Sequence, residues 1–127
     1  MNARAITYRM KYKRPNNKYG NRKCSVDGFT FDSVKEMNRY MDLKFLLAAG
    51  KIENLELQKP FVLDEGFRDK DGKWHRDFRY VADFVYFDIE QNKTIIEDVK
   101  SEATKKDRVY RIKKRFMAKK GLSITEV

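Results

Sequence analysis

Apolar side chains recur every three or four residues between positions 33 and 49, the spacing of one face of an α-helix. Ser33 followed by Glu36 has the spacing of a capping box, so the helix is predicted to begin there. Gly50 is its expected end. The predicted apolar stripe consists of Val34, Met37, Met41, Phe45 and Ala48, widened by Tyr40, Leu43 and Leu47.

A second helix is predicted over residues 104–120. Val109, Ile112 and Phe116 mark its apolar side. Gly121 is expected to end it because glycine accepts the left-handed conformation of a helix C-terminus.

Alternating patterns predict the strands. Residues 52–58 alternate well enough for one strand, which Pro60 interrupts, and residues 61–63 are expected to continue the same edge. Aromatic residues and valine dominate residues 74–87, which predict a long strand. Residues 94–100 predict the next strand, antiparallel to it.

Turn signals complete the pattern. Asp-Gly pairs at positions 27–28 and 71–72 indicate the tips of two short hairpins, and residues 122–125 predict a final strand. The main elements therefore follow the order α-β-β-β-α-β. This order predicts an α/β fold in which helices flank a mixed central sheet.

The chain has 127 residues, which suits one domain but not two. Its aromatic content of 13% exceeds that of a disordered protein. We expect a basic N-terminal arm over residues 1–26 and a single folded domain over residues 27–127.

The formal net charge of +10 indicates a polyanionic partner, most often nucleic acid. Basic residues are concentrated in the arm and in the helix over 104–120. The candidate nucleic-acid-binding residues are Lys11, Lys13, Arg14, Lys105, Lys106, Arg108, Arg111 and Lys114. Trp74, Phe78 and Tyr80 are interpreted as packing residues and not as platforms for stacked bases.

Cys24 and His75 are the single cysteine and the single histidine. They exclude an intrachain disulfide and a zinc-finger site. A metal site would therefore use oxygen ligands, which suits Mg²⁺ or Mn²⁺. With no long apolar run, we expect a cytoplasmic protein that does not enter a membrane.

Candidate chemistry lies at the end of the strand over residues 94–100. Asp98 and Lys100 are two residues apart, so a strand places them on one side. Asp83 lies among apolar residues in the middle of the preceding strand, where a carboxylate is unusual unless it has a partner or a function. Two carboxylates and the main-chain carbonyl of Val99 could hold one cation, with Lys100 beside the attacking water.

Structural interpretations of these residues stay open. Asp98 and Lys100 could form an exposed pair, and Asp83 could face water at a sheet edge. Glu36 could serve only as a helix cap. Glu97 alternates to the face opposite Asp98, where it is solvated or paired, unless a bulge exchanges the two.

The string from Glu36 through Asp83 to Asp98-Val99-Lys100 resembles the PD-(D/E)XK nuclease superfamily, and within it a group of small, largely uncharacterised nuclease-like proteins of bacteriophages. The resemblance covers roughly residues 20–127 and departs from the motif at Ala82, where a proline is usual. It implies an αβββαβ core, with Glu36 as a further catalytic and metal-binding residue and Gln58 and Glu97 as accessory candidates.

The resulting hypothesis is a Mg²⁺- or Mn²⁺-dependent endodeoxyribonuclease. Asp83, Asp98, Lys100 and Glu36 would be catalytic, and the substrate would be branched DNA such as a Holliday junction, cut by a homodimer in phage recombination or replication. RNA is not excluded as a partner. The alternatives are a non-catalytic nucleic-acid-binding module on a nuclease-like fold and a basic RNA-associated protein, although the latter leaves Asp83 unexplained.

Overall fold

A mixed five-stranded sheet forms the centre of the computed structural model, which describes residues 6–8 and 23–127. The elements are β1 (Thr7–Tyr8), β2 (Cys24–Val26), β3 (Phe29–Phe31), α1 (Val34–Ala48), β4 (Ile52–Asp64), β5 (Phe67–Arg68), β6 (Trp74–His75), β7 (Phe78–Asp88), β8 (Lys93–Asp98), α2 (Glu102–Lys105), α3 (Arg108–Lys119) and β9 (Ile124–Glu126).

The sheet order is β1-β4-β7-β8-β9. The β4–β7 and β7–β8 pairs are antiparallel, whereas β1 pairs with β4, and β9 with β8, in parallel. The main elements α1, β4, β7, β8, α2 with α3, and β9 therefore follow the predicted α-β-β-β-α-β order. Two small hairpins, β2–β3 and β5–β6, lie outside this sheet at the Asp-Gly turns that the sequence indicates.

The prediction for β4 was wrong at its centre. The strand continues through Pro60, which pairs with Val81 of β7. Within β4, Asn54 and Gln58 have left-handed backbones, with φ of 55° and 56°. Such residues interrupt the regular alternation of a strand.

Two core clusters pack on the sheet. The first contains Leu55 and Leu57 of β4 together with Phe84 of β7 and side chains of α1. The second contains Leu63 of β4 and Ala82 of β7 together with side chains of α3. In a regular strand, residues separated by an even number of positions lie on the same face. Leu57 and Leu63 of β4 nevertheless lie in different clusters, and so do Ala82 and Phe84 of β7. The regular alternation of each strand therefore changes between these residues. Simple alternation does not hold across Asp83.

The apolar stripe predicted for α1 is only in part its buried face. Tyr40, Leu43 and Leu47 are buried in the first cluster and Met37 packs against it, whereas Val34, Met41 and Phe45 are exposed, Phe45 at 74%. The helix has two apolar faces. The face that packs on the sheet contains Tyr40, Leu43 and Leu47, which were expected only to widen the stripe.

The predicted helix over residues 104–120 is divided into α2 and α3. Asp107 separates them because its carboxylate accepts from the backbone N–H groups of Val109 and Tyr110 and caps α3. Tyr110 and Met117 are the buried residues of α3, whereas Val109 and Ile112 are exposed, in contrast to the prediction.

The predicted strand over residues 74–87 breaks between His75 and Phe78, so that β6 belongs to the small hairpin. Trp74 is 54% exposed there and lies beside the guanidinium of Arg68. Trp74 therefore packs on the surface of the hairpin and not in the core.

No helix in the described part of the chain is long and apolar enough to cross a membrane. Of the predicted arm, residues 7–8 and 24–26 form strands, whereas Lys11, Lys13 and Arg14 lie outside the described residues.

Candidate functional site

A cluster of buried polar side chains lies where β4, β7 and β8 meet the first turn of α1. Glu36, Gln58, Asp83 and Asp98 are 4%, 7%, 2% and 3% exposed. Buried carboxylates are costly unless they are hydrogen-bonded or bind a cation. Three buried carboxylates and a buried amide in one place therefore indicate a site and not ordinary packing.

Gln58 joins the acid of α1 to the acid of β7. Its amide nitrogen Nε2 lies 3.2 Å from Glu36 Oε1 and 3.3 Å from Asp83 Oδ1. Gln58 and Asp83 sit between the paired residues Leu57–Phe84 and Lys59–Ala82, where both strands change phase. The left-handed backbone of Gln58 coincides with this change of phase, so the interruption of the strand and the site occupy the same place.

Asp83 and Asp98 form the centre of the cluster. Asp83 Oδ2 accepts from the backbone N–H of Val99 at 2.9 Å, which ties β7 to the residue after the end of β8. Asp98 Oδ2 accepts from the Tyr80 hydroxyl at 2.8 Å and lies 3.3 Å from Lys100 Nζ. The interpretation of Asp98 and Lys100 as an exposed pair is therefore wrong.

The electrostatics of the cluster favour a proton or a cation. Burial, followed by the neighbouring carboxylate of Asp83, raises the pKa of Asp98 well above its usual range, although Lys100 and Tyr80 oppose the shift. Burial and the nearby Asp98 likewise raise the pKa of Tyr80. Tyr80 therefore keeps its proton and acts as a hydrogen-bond donor to Asp98.

Lys100 lies over the aromatic ring of Tyr110. Its ammonium is 4.2 Å from the centre of the Tyr110 ring, which is close enough for a cation–π interaction. The Tyr110 hydroxyl in turn donates to Glu126 Oε2 at 2.6 Å. The ring therefore restricts Lys100 from the side of α3 while Asp98 attracts it from β8.

Glu97 has a different environment from Asp98. It is buried, its carboxylate accepts from Arg39 Nε at 2.8 Å and Arg39 Nη2 at 2.6 Å, and the Tyr86 hydroxyl also donates to it. The β7–β8 register is regular from Phe84↔Glu97 to Asp88↔Lys93, so no bulge exchanges Glu97 with Asp98. The prediction that Glu97 is paired is therefore confirmed, and the alternative that it is solvated is wrong.

The structure brings five predicted residues together: Glu36, Gln58, Asp83, Asp98 and Lys100. Val99 lies beside them with its N–H on Asp83. Ser33 caps α1, because its Oγ accepts from the backbone N–H of Glu36. The Glu36 side chain accepts from Gln58 Nε2, so the capping bond uses the backbone of Glu36 and the site uses its carboxylate.

Among the described residues, no three His, Cys, Asp or Glu side chains are arranged as a group that could hold a metal ion. The donor chemistry nevertheless fits a hard divalent cation, because Glu36, Asp83 and Asp98 supply carboxylate oxygens. The separation of Glu36 from Asp83 by the Gln58 amide accounts for the absence of a closed carboxylate group.

A basic groove adjoins the site on the side of α3. It has a volume of about 400 Å³ and is lined by Lys105, Arg111, Lys114, Arg115, Ala118 and Glu126. Of the predicted nucleic-acid-binding residues, Lys105, Arg111 and Lys114 line this groove. Lys106 and Arg108 are exposed beside it.

The sequence interpretation missed Tyr80, Tyr110 and Arg115. The signal for Tyr80 was its place three residues before Asp83 in a strand. The two sequence signals for Tyr110 were Asp107, which caps α3, and the spacing from Tyr110 to Met117, which defines the buried face. Arg115 shares a helix face with Arg111 at four-residue spacing.

Residues 16–125 match the model of a family described as a protein of unknown function, DUF1064. The comparisons with curated proteins and with solved structures found no match. Since the family match spans most of the chain, the protein with this buried acid–lysine cluster belongs to the DUF1064 family.

Proposed function

We propose that this protein is a metal-dependent nuclease that hydrolyses phosphodiester bonds in DNA. The observation that carries the proposal is the burial of Asp83 and Asp98 together, with Lys100 Nζ 3.3 Å from Asp98 Oδ2. A lysine held beside paired acids supplies the charges that phosphodiester hydrolysis needs.

The proposal includes membership of the PD-(D/E)XK nuclease superfamily. The α-β-β-β-α-β order of the main elements supports it. So does the placement of Glu36, Asp83 and Lys100 around Asp98, because these are the residues that the resemblance names. Origin in a bacteriophage, and action in the cytoplasm of its bacterial host, follow from the same resemblance.

Glu36, Asp83 and Asp98 would hold Mg²⁺ or Mn²⁺. When bound, such a cation polarises the scissile phosphate and lowers the pKa of water. Lys100 orients the attacking water and stabilises the negative charge that develops on the phosphate oxygens. Tyr80 fixes Asp98, and Tyr110 restricts Lys100, so both residues orient the groups that act on the phosphate.

The substrate is proposed to be branched DNA, such as a Holliday junction, in recombination or replication. A symmetric cut across such a junction requires two copies of the site, and hence a homodimer. The net charge of +10 supports a polyanionic substrate of this size. RNA is the competing substrate, and the experiment must include it.

The test is a cleavage assay with purified protein, Mg²⁺ or Mn²⁺, and labelled single strand, duplex, flap and four-way junction, each as DNA and as RNA. We expect cutting that EDTA abolishes and that Asp98→Asn and Lys100→Ala each reduce by about 10²- to 10³-fold. Sedimentation of the junction complex reports the number of copies bound.

Matched variants control for surface effects. Glu90→Gln removes an exposed acid from the β7–β8 turn, and Lys93→Ala removes an exposed lysine from the opposite end of β8. Both should cut like the wild type. Equal cutting by Asp98→Asn and Glu90→Gln would show that the proposed site is not the catalytic one.

A nucleic-acid-binding module without catalysis is the second candidate. The Gln58 amide between Glu36 and Asp83 favours it, because these acids are then hydrogen-bonded partners within the fold. Salt-dependent DNA binding with no cutting of any substrate, in either metal, would establish this alternative.

A further inference from the structure

We propose that the groove between α2, α3 and β9 binds the sugar–phosphate backbone of the strand that is cut, a few nucleotides from the scissile phosphate. The location relative to the cut rests on the proposed nuclease function, whereas binding of the backbone does not. The groove residues are Lys105, Arg111, Lys114, Arg115, Ala118 and Glu126.

The groove is built by the helix spacing of α3. Arg111, Lys114, Arg115 and Ala118 are three, four and seven residues apart, which places them on one face. Ala118 and Lys105 of α2 complete the lining of the groove. The basic side chains on this face of α3 therefore line an open groove.

The charge of the groove suits phosphate. Four basic side chains line it against one acid, and that acid is already engaged. Glu126 Oε2 accepts from the Tyr110 hydroxyl at 2.6 Å and lies 3.3 Å from Lys114 Nζ. These two contacts lower the pKa of Glu126, so it stays ionised at neutral pH and fixes Lys114. Lys105 also contacts Glu102 in an exposed pair, which phosphate can displace.

Glu126 connects the groove to the acid cluster. It is the β9 partner of Asp98 on β8, so the two residues are one strand spacing apart, about 4.8 Å. The Tyr110 hydroxyl donates to Glu126, and the Tyr110 ring contacts the ammonium of Lys100. One strand of a duplex advances about 3.4 Å per nucleotide. A strand cut at Asp98 would therefore pass the groove within a few nucleotides.

The test compares Arg111→Ala/Arg115→Ala with Lys119→Ala/Lys120→Ala. Both double variants remove two exposed positive charges, the first from α3 and the second from the end of α3 and its C-cap, but the second pair does not line the groove. Binding of a labelled DNA duplex and of an RNA duplex of the same sequence is measured in EDTA over a series of salt concentrations. Far-ultraviolet CD melting verifies that both variants fold.

We expect the groove variant to bind at least about tenfold more weakly than the wild type at moderate salt. Its log–log salt slope should fall by about 1.8, since each lost phosphate contact removes about 0.9. The control variant should change both quantities much less. The larger effect among the two duplexes identifies the polynucleotide that the groove takes.

Neutral methylphosphonates placed singly along the strand then locate the contact. Those within a few nucleotides of the cut bond should weaken binding by the wild type but not by the groove variant. Equal affinities and slopes for the two double variants would overturn the groove assignment even if the wild type cuts DNA. If the groove variant alone loses binding but the wild type never cuts, the groove stands and the nuclease proposal fails. No binding of either duplex by the wild type overturns the groove assignment.

Discussion

The amide nitrogen of Gln58 lies 3.3 Å from Asp83 Oδ1, and Gln58 reaches this position from a left-handed backbone with φ of 56°. A non-glycine residue with this conformation inside a strand costs about 1–2 kcal/mol. The polar cluster is therefore built on a locally strained strand.

That strain can be measured by comparing Gln58→Gly with Gln58→Ala. Both variants lose the amide, but glycine adopts a positive φ without cost. We expect the glycine variant to be more stable than the alanine variant by about 1 kcal/mol in urea unfolding. Lys59, one residue further along β4, has no positive φ. There we expect Lys59→Gly to be less stable than Lys59→Ala, because glycine increases the entropy of the unfolded chain without relieving strain. The same order at both positions would contradict the strain.

Asp98→Asn should stabilise the metal-free protein. The folded-state pKa of Asp98 is raised, so its contribution to stability is present below the unfolded pKa and is lost as pH rises through the folded pKa. At pH 7.5 the amide variant should melt about 3–6 °C higher than the wild type, if about 1 kcal/mol is recovered.

Melting curves in EDTA between pH 4 and pH 8 check this expectation. The difference between Asp98→Asn and the wild type should grow with pH. A constant difference, or a lower melting temperature of the variant at pH 7.5, would show that Asp98 is not held against Asp83 in this way.

Tyr110 should position Lys100 through its ring. Tyr110→Phe keeps the ring and loses only the hydroxyl contact with Glu126, whereas Tyr110→Leu loses both. A cation–π interaction of about 0.5–2 kcal/mol predicts a cleavage rate about 2- to 30-fold lower for Tyr110→Leu than for Tyr110→Phe.

A second readout is independent of catalysis. The methylene protons of Lys100 should be shifted upfield in NMR spectra of the wild type and of Tyr110→Phe, because they lie over an aromatic ring. They should move to ordinary positions in Tyr110→Leu. An unshifted Lys100 in the wild type would contradict the contact.

Arg39 and Glu97 should contribute to folding and not to cutting. Arg39→Ala leaves the buried Glu97 carboxylate without its bidentate partner, so we expect a loss of about 2–4 kcal/mol in unfolding free energy. The double variant Arg39→Met/Glu97→Leu should recover much of that loss, because it removes both charges.

Cleavage by that double variant should keep its metal dependence. Loss of cutting by a stable, folded double variant would instead assign Glu97 to the catalytic group.

The sequence was sufficient to predict the order of the main elements and the residues that converge on Asp98. Asp83, Asp98 and Lys100 were predicted from their places on the strands, because spacing decides which residues a strand places on one side. Glu36 and Gln58 were predicted from the resemblance. The buried face of α1 could not be chosen in the same way, because Met41 and Phe45 have a helical period as regular as that of Leu43 and Leu47. Only contact with the sheet distinguishes the two faces.

The position of Gln58 was suggested by the resemblance, but its conformation was not accessible. Glutamine carries no preference for a positive φ, unlike the Asp27-Gly28 pair, which was predicted to form a hairpin tip and has a positive φ at both residues. Since the phase of β4 beyond Gln58 depends on that conformation, alternation failed across the site.

Trp74, the single tryptophan of the chain, lies exposed on the β5–β6 hairpin and outside both core clusters. Its fluorescence is therefore that of an indole already in contact with water, and it should change little when the sheet unfolds. An unfolding curve followed by tryptophan emission would report the hairpin alone. Conversely, emission quenching on addition of a ligand would show that the ligand reaches this hairpin without disturbing the folded core.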